Sequence, residues 1–210
     1  MQQRPRKGPL FFMDRNANRK MPMKKIIAPS RIVTTRLILE RHQHDDFADC
    51  VAMWQDPEVV RLIRDRPFDA SETWSRVLRC VGHWEFTGFG YWTIRDREQG
   101  TFCGELGFAQ THRAMPPGYA DLPEFGCTLA RHAWGRRIGT EAGTAALAWM
   151  RRHGDADRVV AITDENNAAA LAMARSLGFQ RRQRMTYDAR DFCLMEHALT
   201  QPVTEPVPAE

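Results

Sequence analysis

The 210-residue chain contains no run of about 18–20 uninterrupted apolar residues, which removes a membrane-spanning helix. It also lacks a secretory signal. The first apolar stretch, Leu10–Met13, is four residues long and meets Asp14 and Arg15 at once. No C-x-x-C pair occurs. The five cysteines (Cys50, Cys80, Cys103, Cys127 and Cys193) are odd in number and scattered, which argues against a disulfide framework or a zinc site. A reducing, cytoplasmic compartment suits that usage. His42, His44, Asp45 and Asp46 lie together but read as helix-entry residues, so no metal is expected. The chain has no Walker G-x-x-x-x-G-K-[ST] loop, no G-x-G-x-x-G fingerprint and no internal repeat.

What remains is ordinary globular material. Hydrophobic residues make up 43% and charged residues 27%, enough for one well-buried core. The net charge of +4 is unevenly placed. Residues 1–30 hold eight Arg and Lys against one Asp, so the remainder is mildly acidic. The reading is a flexible basic leader (1–30), one domain (31–199) and a disordered tail (200–210) with Pro202, Pro206 and Pro208. Neither nucleic acid nor membrane is expected as a partner, and a homodimer is compatible with the sequence.

Periodicity orders the domain. Arg36–Arg41 alternates as a strand, and Asp45–Asp46 open a helix with Phe47, Val51, Met53 and Trp54 inward. Val59–Ile63 continues as helix. Asp69 and Glu72 have capping-box spacing ahead of a helix whose apolar face is Trp74, Val77, Leu78, Val81 and Trp84. Gly90–Arg95 and Thr101–Gln110 read as a hairpin, and Glu124–Leu129 as a further strand. A small-residue helix over Thr140–His153, ended by Gly154, precedes the strand Arg158–Thr163. Asn167 caps a helix over Ala168–Leu177, and Gln183–Tyr187 with Phe192–His197 close the sheet. The result is an α/β chain with a mixed sheet.

The most informative stretch is Glu124–Ala142, EFGCTLARHAWGRRIGTEA. A strand runs through a turn with Gly135 and Gly139 straight into a helix. Free N–H groups at a helix start, with the positive end of its dipole, form an anion site. Arg136 and Arg137 add charge, and the small Ala142–Ala146 run allows close approach to a sheet.

WGRRIGTEA resembles the coenzyme A pyrophosphate loop of the GNAT superfamily of N-acetyltransferases. Asn167 followed by AAALAMARSLGF is similar to that family's second motif, and TTRLILER and CGELGF resemble its RimJ/RimL branch. The resemblance covers about residues 32–198. It implies a single-domain, mostly antiparallel sheet flanked by helices, with the strand before the loop splaying from its parallel neighbour. It also implies acetyl-CoA as co-substrate, held by Cys127, Thr128, Leu129, Trp134, Gly135, Arg136, Arg137, Ile138, Gly139, Thr140 and Asn167. The acceptor it implies is a primary amine, on a peptide N-terminus or a small molecule. Glu124 is the expected general base, with Glu105 second and Tyr187 a candidate proton donor to the thiolate. Cys127, on the face opposite Glu124, reads as packing rather than nucleophile. Three positions depart from the family pattern: Trp134 opens the loop, Arg137 replaces its middle glycine, and Ala170 stands where a serine is common. They leave open a second reading, a CoA-binding sensor with weak catalysis. Of the aromatics Trp54, Trp74, Trp84, Phe86, Phe89, Tyr91 and Trp92, most are expected in the core and a few at the acceptor groove.

Overall fold

Eight strands and five helices form one layered unit in the computed structural model, which describes residues 28–64, 66–187 and 190–199. In chain order they are β1 (Ile32–Val33), β2 (Leu37–Arg41), α1 (Phe47–Trp54), α2 (Pro57–Val60), α3 (Ala70–Thr87), β3 (Tyr91–Asp96) and β4 (Phe102–Ala109). Then come β5 (Glu124–Leu129), α4 (Ile138–His153), β6 (Arg158–Asp164), α5 (Ala168–Ser176), β7 (Gln180–Tyr187) and β8 (Arg190–Ala198). The strands form a single sheet in the order β1-β2-β3-β4-β5-β6-β8-β7. Every pairing is antiparallel except β5 with β6. No helix among the described residues is long and apolar enough to cross a membrane.

Strand alternation sends side chains to two different layers. On one face Trp92, Ile94, Leu106, Phe108 and Phe125 pack with Ile138, Ala142 and Ala146 of α4 and Ala174 of α5. Alanines on α4 let that helix sit close to the strands. On the other face α1, α2 and α3 cover the sheet around Cys50, Met53, Trp54, Val60 and Val77. The Asp69–Glu72 capping box forms in full at the start of α3. The inward face of α3, however, is Thr73, Val77, Cys80 and Trp84, while Leu78 and Trp74 are exposed. The 3–4 spacing holds, but its register is one position from the expected stripe, with small Thr73 and Cys80 filling the tight contact.

Three expected boundaries need correction. The segment after Asp56-Pro57 is a single helical turn capped by the Asp56 carboxylate, and it loosens into turns before Ile63. α4 begins two residues early, at Ile138. The end of the expected leader is anchored: the indole N–H groups of Trp149 and Trp92 donate to the carbonyls of Pro29 and Ser30. The rest of the leader, residues 1–27, and the tail, 200–210, lie outside the described residues. So do the side chain of Tyr187 and with it the expected proton-donor role.

Candidate active site

The β5–β6 pair holds register for only two rungs, Glu124 opposite Val160 and Phe125 opposite Ala161. β5 continues to Leu129 and β6 to Asp164 without pairing further. From Gly126 onward, backbone groups on the β6 side of β5 have no ladder partner there, although β4 pairs with β5 along its whole length. A cavity of about 600 Å³ occupies the opening. Glu124, Cys127 and Thr128 of β5 and Asn167 of the α5 cap all line it.

Glu124 sits at the last fully paired part of the strand, with its side chain 16% exposed. Arg113 Nη2 donates to Oε1 at 2.6 Å, and Thr111 Oγ1 is 3.4 Å from Oε2. Burial pushes the Glu124 pKa above the usual carboxylate range, while Arg113 and Thr111 pull it back. Glu105 is the opposite case. It is fully buried and accepts from His42 Nε2 at 2.9 Å, Trp54 Nε1 at 3.2 Å and Arg76 Nη2 at 2.9 Å. Burial opposes its charge, yet Arg76 and His42 outweigh burial and hold the carboxyl far below its ordinary value. A carboxylate so enclosed cannot meet an incoming amine, which removes Glu105 as the alternative base. His42 is therefore a core partner of Glu105 rather than a helix-entry residue. His42, Cys50 and Glu105 would satisfy metal-ligand spacing, but the Arg76 guanidinium already supplies the positive charge there.

Arg76 was not singled out by sequence, and Tyr91 only as one of seven aromatics for the core or the acceptor groove. Gly107 stands opposite Tyr91 on β4, and Gly126 opposite Gly107 on β5. With no side chains at those positions, the Tyr91 ring lies across the strands. A Cβ on Gly126 would overlap its hydroxyl. Tyr91 and Trp54 are the two expected aromatics that line the cavity. Trp84, Phe89 and Trp92 are core, and Phe86 is 88% exposed. The Arg76 guanidinium is 4.4 Å from the Trp54 ring centroid and 5.3 Å from that of Tyr91. Burial raises the Tyr91 pKa, so it is a neutral phenol at physiological pH.

Beyond the cavity, Leu129 leads through a short turn to α4. Trp134 Nε1 donates to the Leu129 carbonyl at 2.8 Å. Gly135 has φ +72° with open space beside it, and Arg137 has φ +58°. Arg137 thus adopts a left-handed conformation that favours glycine. It occupies the N-cap of α4 with no side-chain cap bond, so the first N–H groups of the helix, beginning at Ile138, Gly139 and Thr140, have no cap partner. Arg136 lies on the surface, 3.7 Å from Asp96. Gly139 faces inward. A Cβ there would come within 2.6 Å of Met173 Sδ and 3.5 Å of Cys127 Sγ, so this glycine brings α4 against α5 and β5. Asn167 caps α5 by accepting from the Ala170 N–H at 3.0 Å. Burial pushes the Cys127 thiol up to about 12, leaving it un-ionised.

Parallel strands β5 and β6 diverge, and the uncapped N-terminus of α4 follows β5, an arrangement that leaves room for an extended ligand carrying negative charge. The open turn at Gly135 and the free N–H groups of α4 suit a diphosphate, and the unpaired edge of β5 suits an amide-bearing arm. A family model described as an acetyltransferase (GNAT) domain matches residues 36–180. The chain belongs to that family and is an acyl-CoA-dependent N-acetyltransferase. Among similar proteins, the uncharacterized N-acetyltransferase p20 of Bacillus licheniformis is 22% identical over 151 residues, 71% of this chain and 82% of that protein. A solved GNAT-family structure from Bordetella pertussis has a TM-score of 0.72 at 28% identity, covering 81% of this chain and 100% of that one. RimL ribosomal α-N-protein acetyltransferase in complex with coenzyme A has a TM-score of 0.66 at 20% identity, covering 80% and 96%.

Proposed function

We propose that the protein transfers the acetyl group of acetyl-CoA directly to a primary amine, with Glu124 as general base. The observation that carries this reading is the parting of β5 from β6 just beyond Glu124, with a cavity in the gap. Acetyl-CoA supplies an activated thioester. The turn Trp134–Arg137 and the first residues of α4, Ile138, Gly139 and Thr140, hold its diphosphate through backbone N–H groups, with Arg136 and Arg137 adding charge. Backbone groups of Cys127, Thr128 and Leu129 align the pantetheine arm, and Asn167 flanks it at the α5 cap. An N–H on the unpaired edge of β5 donates to the carbonyl oxygen as negative charge develops there. Glu124 takes the proton that the amine must lose, directly or through one water. Its raised pKa brings it closer to neutrality, where a base of this kind works best. The nitrogen–carbon bond forms, the carbon–sulfur bond breaks, and CoA leaves as the thiolate.

The test is thiol release from acetyl-CoA by the purified protein with N-terminal peptides, polyamines and aminoglycosides, with products weighed by mass spectrometry. Amine-dependent release with an acetylated product supports the reading. CoA binding without turnover on any of these amines overturns it.

A further inference from the structure

The cavity wall is rich in guanidinium: Arg64, Arg66, Arg76, Arg113 and Arg190 line it, against the two carboxylates Glu124 and Asp164. Most of these cations are committed. Arg76 is bonded to Glu105 at 2.9 Å, Arg113 to Glu124 at 2.6 Å and Arg190 to Asp164 at 2.6 Å. Arg66 makes a two-pronged contact with Glu72 at 2.7 and 2.8 Å. Arg64 differs. Its Nη2 has one long contact to Glu72 at 3.4 Å, and its Nη1 is buried with no hydrogen-bond partner among the described residues. Its guanidinium carbon lies 3.7 Å from the centroid of the Phe68 ring. A buried donor left unpaired on a charged group is costly, and a side chain still 24% exposed can bring it to an acceptor atom.

The surroundings of Arg64 are fixed. Arg190 donates to the carbonyls of Leu62 and Ile63 just before it, tying this loop to β8. Arg64 and Arg190 line both the main cavity and an adjoining cleft beside α2, so Arg64 stands where the two meet. Arg64 and Glu124 line the same cavity, so a molecule with its amine at Glu124 can extend within it toward Arg64. We propose that Arg64 forms an anion subsite, and that the acceptor is a primary amine carrying a carboxylate. This inference rests on the acetyl-transfer reading above. The carboxylate receives the guanidinium fork in the geometry that arginine provides and lysine does not.

The test compares matched acceptors: the peptides Ser-Asp-Ala-Ala and Ser-Asn-Ala-Ala as C-terminal amides, and the small amino acid β-alanine with its amide, β-alaninamide. The wild-type protein should use the acidic member of at least one pair about tenfold better in kcat/KM, equivalent to about 1.4 kcal/mol. The peptide pair reports an acidic N-terminus and the amino-acid pair a small molecule. Arg64→Gln and Arg64→Lys should abolish that preference while activity on the neutral member stays within about threefold. Unchanged CoA affinity and thermal midpoint show that each variant is folded, and Arg64→Lys keeps the test open should Arg64→Gln unfold. Equal use of acidic and neutral members by the wild type, or an equal loss on both in the variants, overturns the subsite. Transfer to polyamines with none to these four acceptors also overturns it and leaves the acetyl-transfer reading standing. Transfer to no amine at all overturns both.

Discussion

Replacing Glu124 with glutamine isolates the proposed proton transfer. Glutamine has nearly the same size, and its amide oxygen can still accept from Arg113, which now reaches Oε1 at 2.6 Å. What it cannot do is take a proton. Removing a positioned base typically costs about 10²–10⁴-fold, or roughly 2.7–5.4 kcal/mol of barrier. The variant should lose at least about 10²-fold in kcat at neutral pH while its affinity for acetyl-CoA is nearly unchanged. The pH profile adds a second readout. Glu124 has a raised pKa, so wild-type kcat/KM falls as pH drops through that value and the carboxylate protonates. In the variant this acidic limb disappears. Activity then follows the free amine alone, rising up to about pH 8 for an α-amino group and to about pH 10 for a lysine-like amine.

Stability keeps folding apart from catalysis. A carboxyl whose folded pKa is raised contributes stability below its unfolded pKa and loses it as pH rises through the folded value. At pH 7 the ionised Glu124 therefore carries a burial cost that glutamine avoids, and the thermal midpoint of Glu124→Gln should not fall. Steady-state thiol release from pH 4.5 to 10, with calorimetry at pH 7, measures all of this. A folded variant whose kcat stays within about threefold of wild type across that range refutes the role, and Glu124 is then a strand-end residue whose proton leaves by another route.

Arg113→Met should move the acidic limb of the wild-type profile to higher pH, because Arg113 lowers the Glu124 pKa; a limb that stays in place refutes the pairing. Arg137→Gly should raise stability by about 1 kcal/mol in chemical unfolding by releasing a left-handed arginine, and an unchanged midpoint would show that the turn carries no strain. Gly126→Ala should destabilise by about 1–3 kcal/mol through its overlap with the Tyr91 hydroxyl. Adding Tyr91→Phe should recover at least half of that loss, and strictly additive effects would refute the contact. Glu105→Gln should cost about 3–5 kcal/mol, since it strands Arg76 without its buried partner. Because the folded Glu105 pKa is depressed, its stabilisation is present above the unfolded pKa, near 4.3, and is lost as pH falls, so the wild-type and variant midpoints should converge in acid.

The order of elements was legible because strands with period two and helices with 3–4 spacing write themselves into sequence. β5 keeps its expected bounds, Glu124–Leu129, and the Asp69–Glu72 cap forms as spaced. Two-residue β1 is too short to show any period. The left-handed Arg137 follows from its place in a glycine-type turn, which the resemblance marked. The roles that sequence left unread depend on what the fold sets beside each residue. Tyr91 matters because Gly107 and Gly126, 16 and 35 positions later, line up beside it. Arg76 on a helix reads as solvated until Glu105 is placed beneath it. Arg64 and Arg113 lie in loops with no periodicity to read.

The two candidate bases illustrate how one sheet face assigns different work to the same side chain. Glu105 and Glu124 lie on adjacent strands, and strand alternation turns both toward the α1–α3 layer. Burial alone would raise the pKa of each. Around Glu105 the balance is reversed by Arg76, His42 and Trp54, which together take up both carboxylate oxygens. Those bonds make it a permanent anion whose charge is spent on fixing α3 and α1 to the sheet. Arg76, so fixed, then presents its guanidinium to the Tyr91 ring. Around Glu124 one arginine and one long hydroxyl contact leave burial dominant, and the carboxyl stays able to exchange a proton at the edge of the cavity. A carboxyl whose pKa burial raises is better suited to taking up a proton than one locked as an anion by its partners. The two carboxyls therefore differ by environment, and the difference arises from the partners that each one meets.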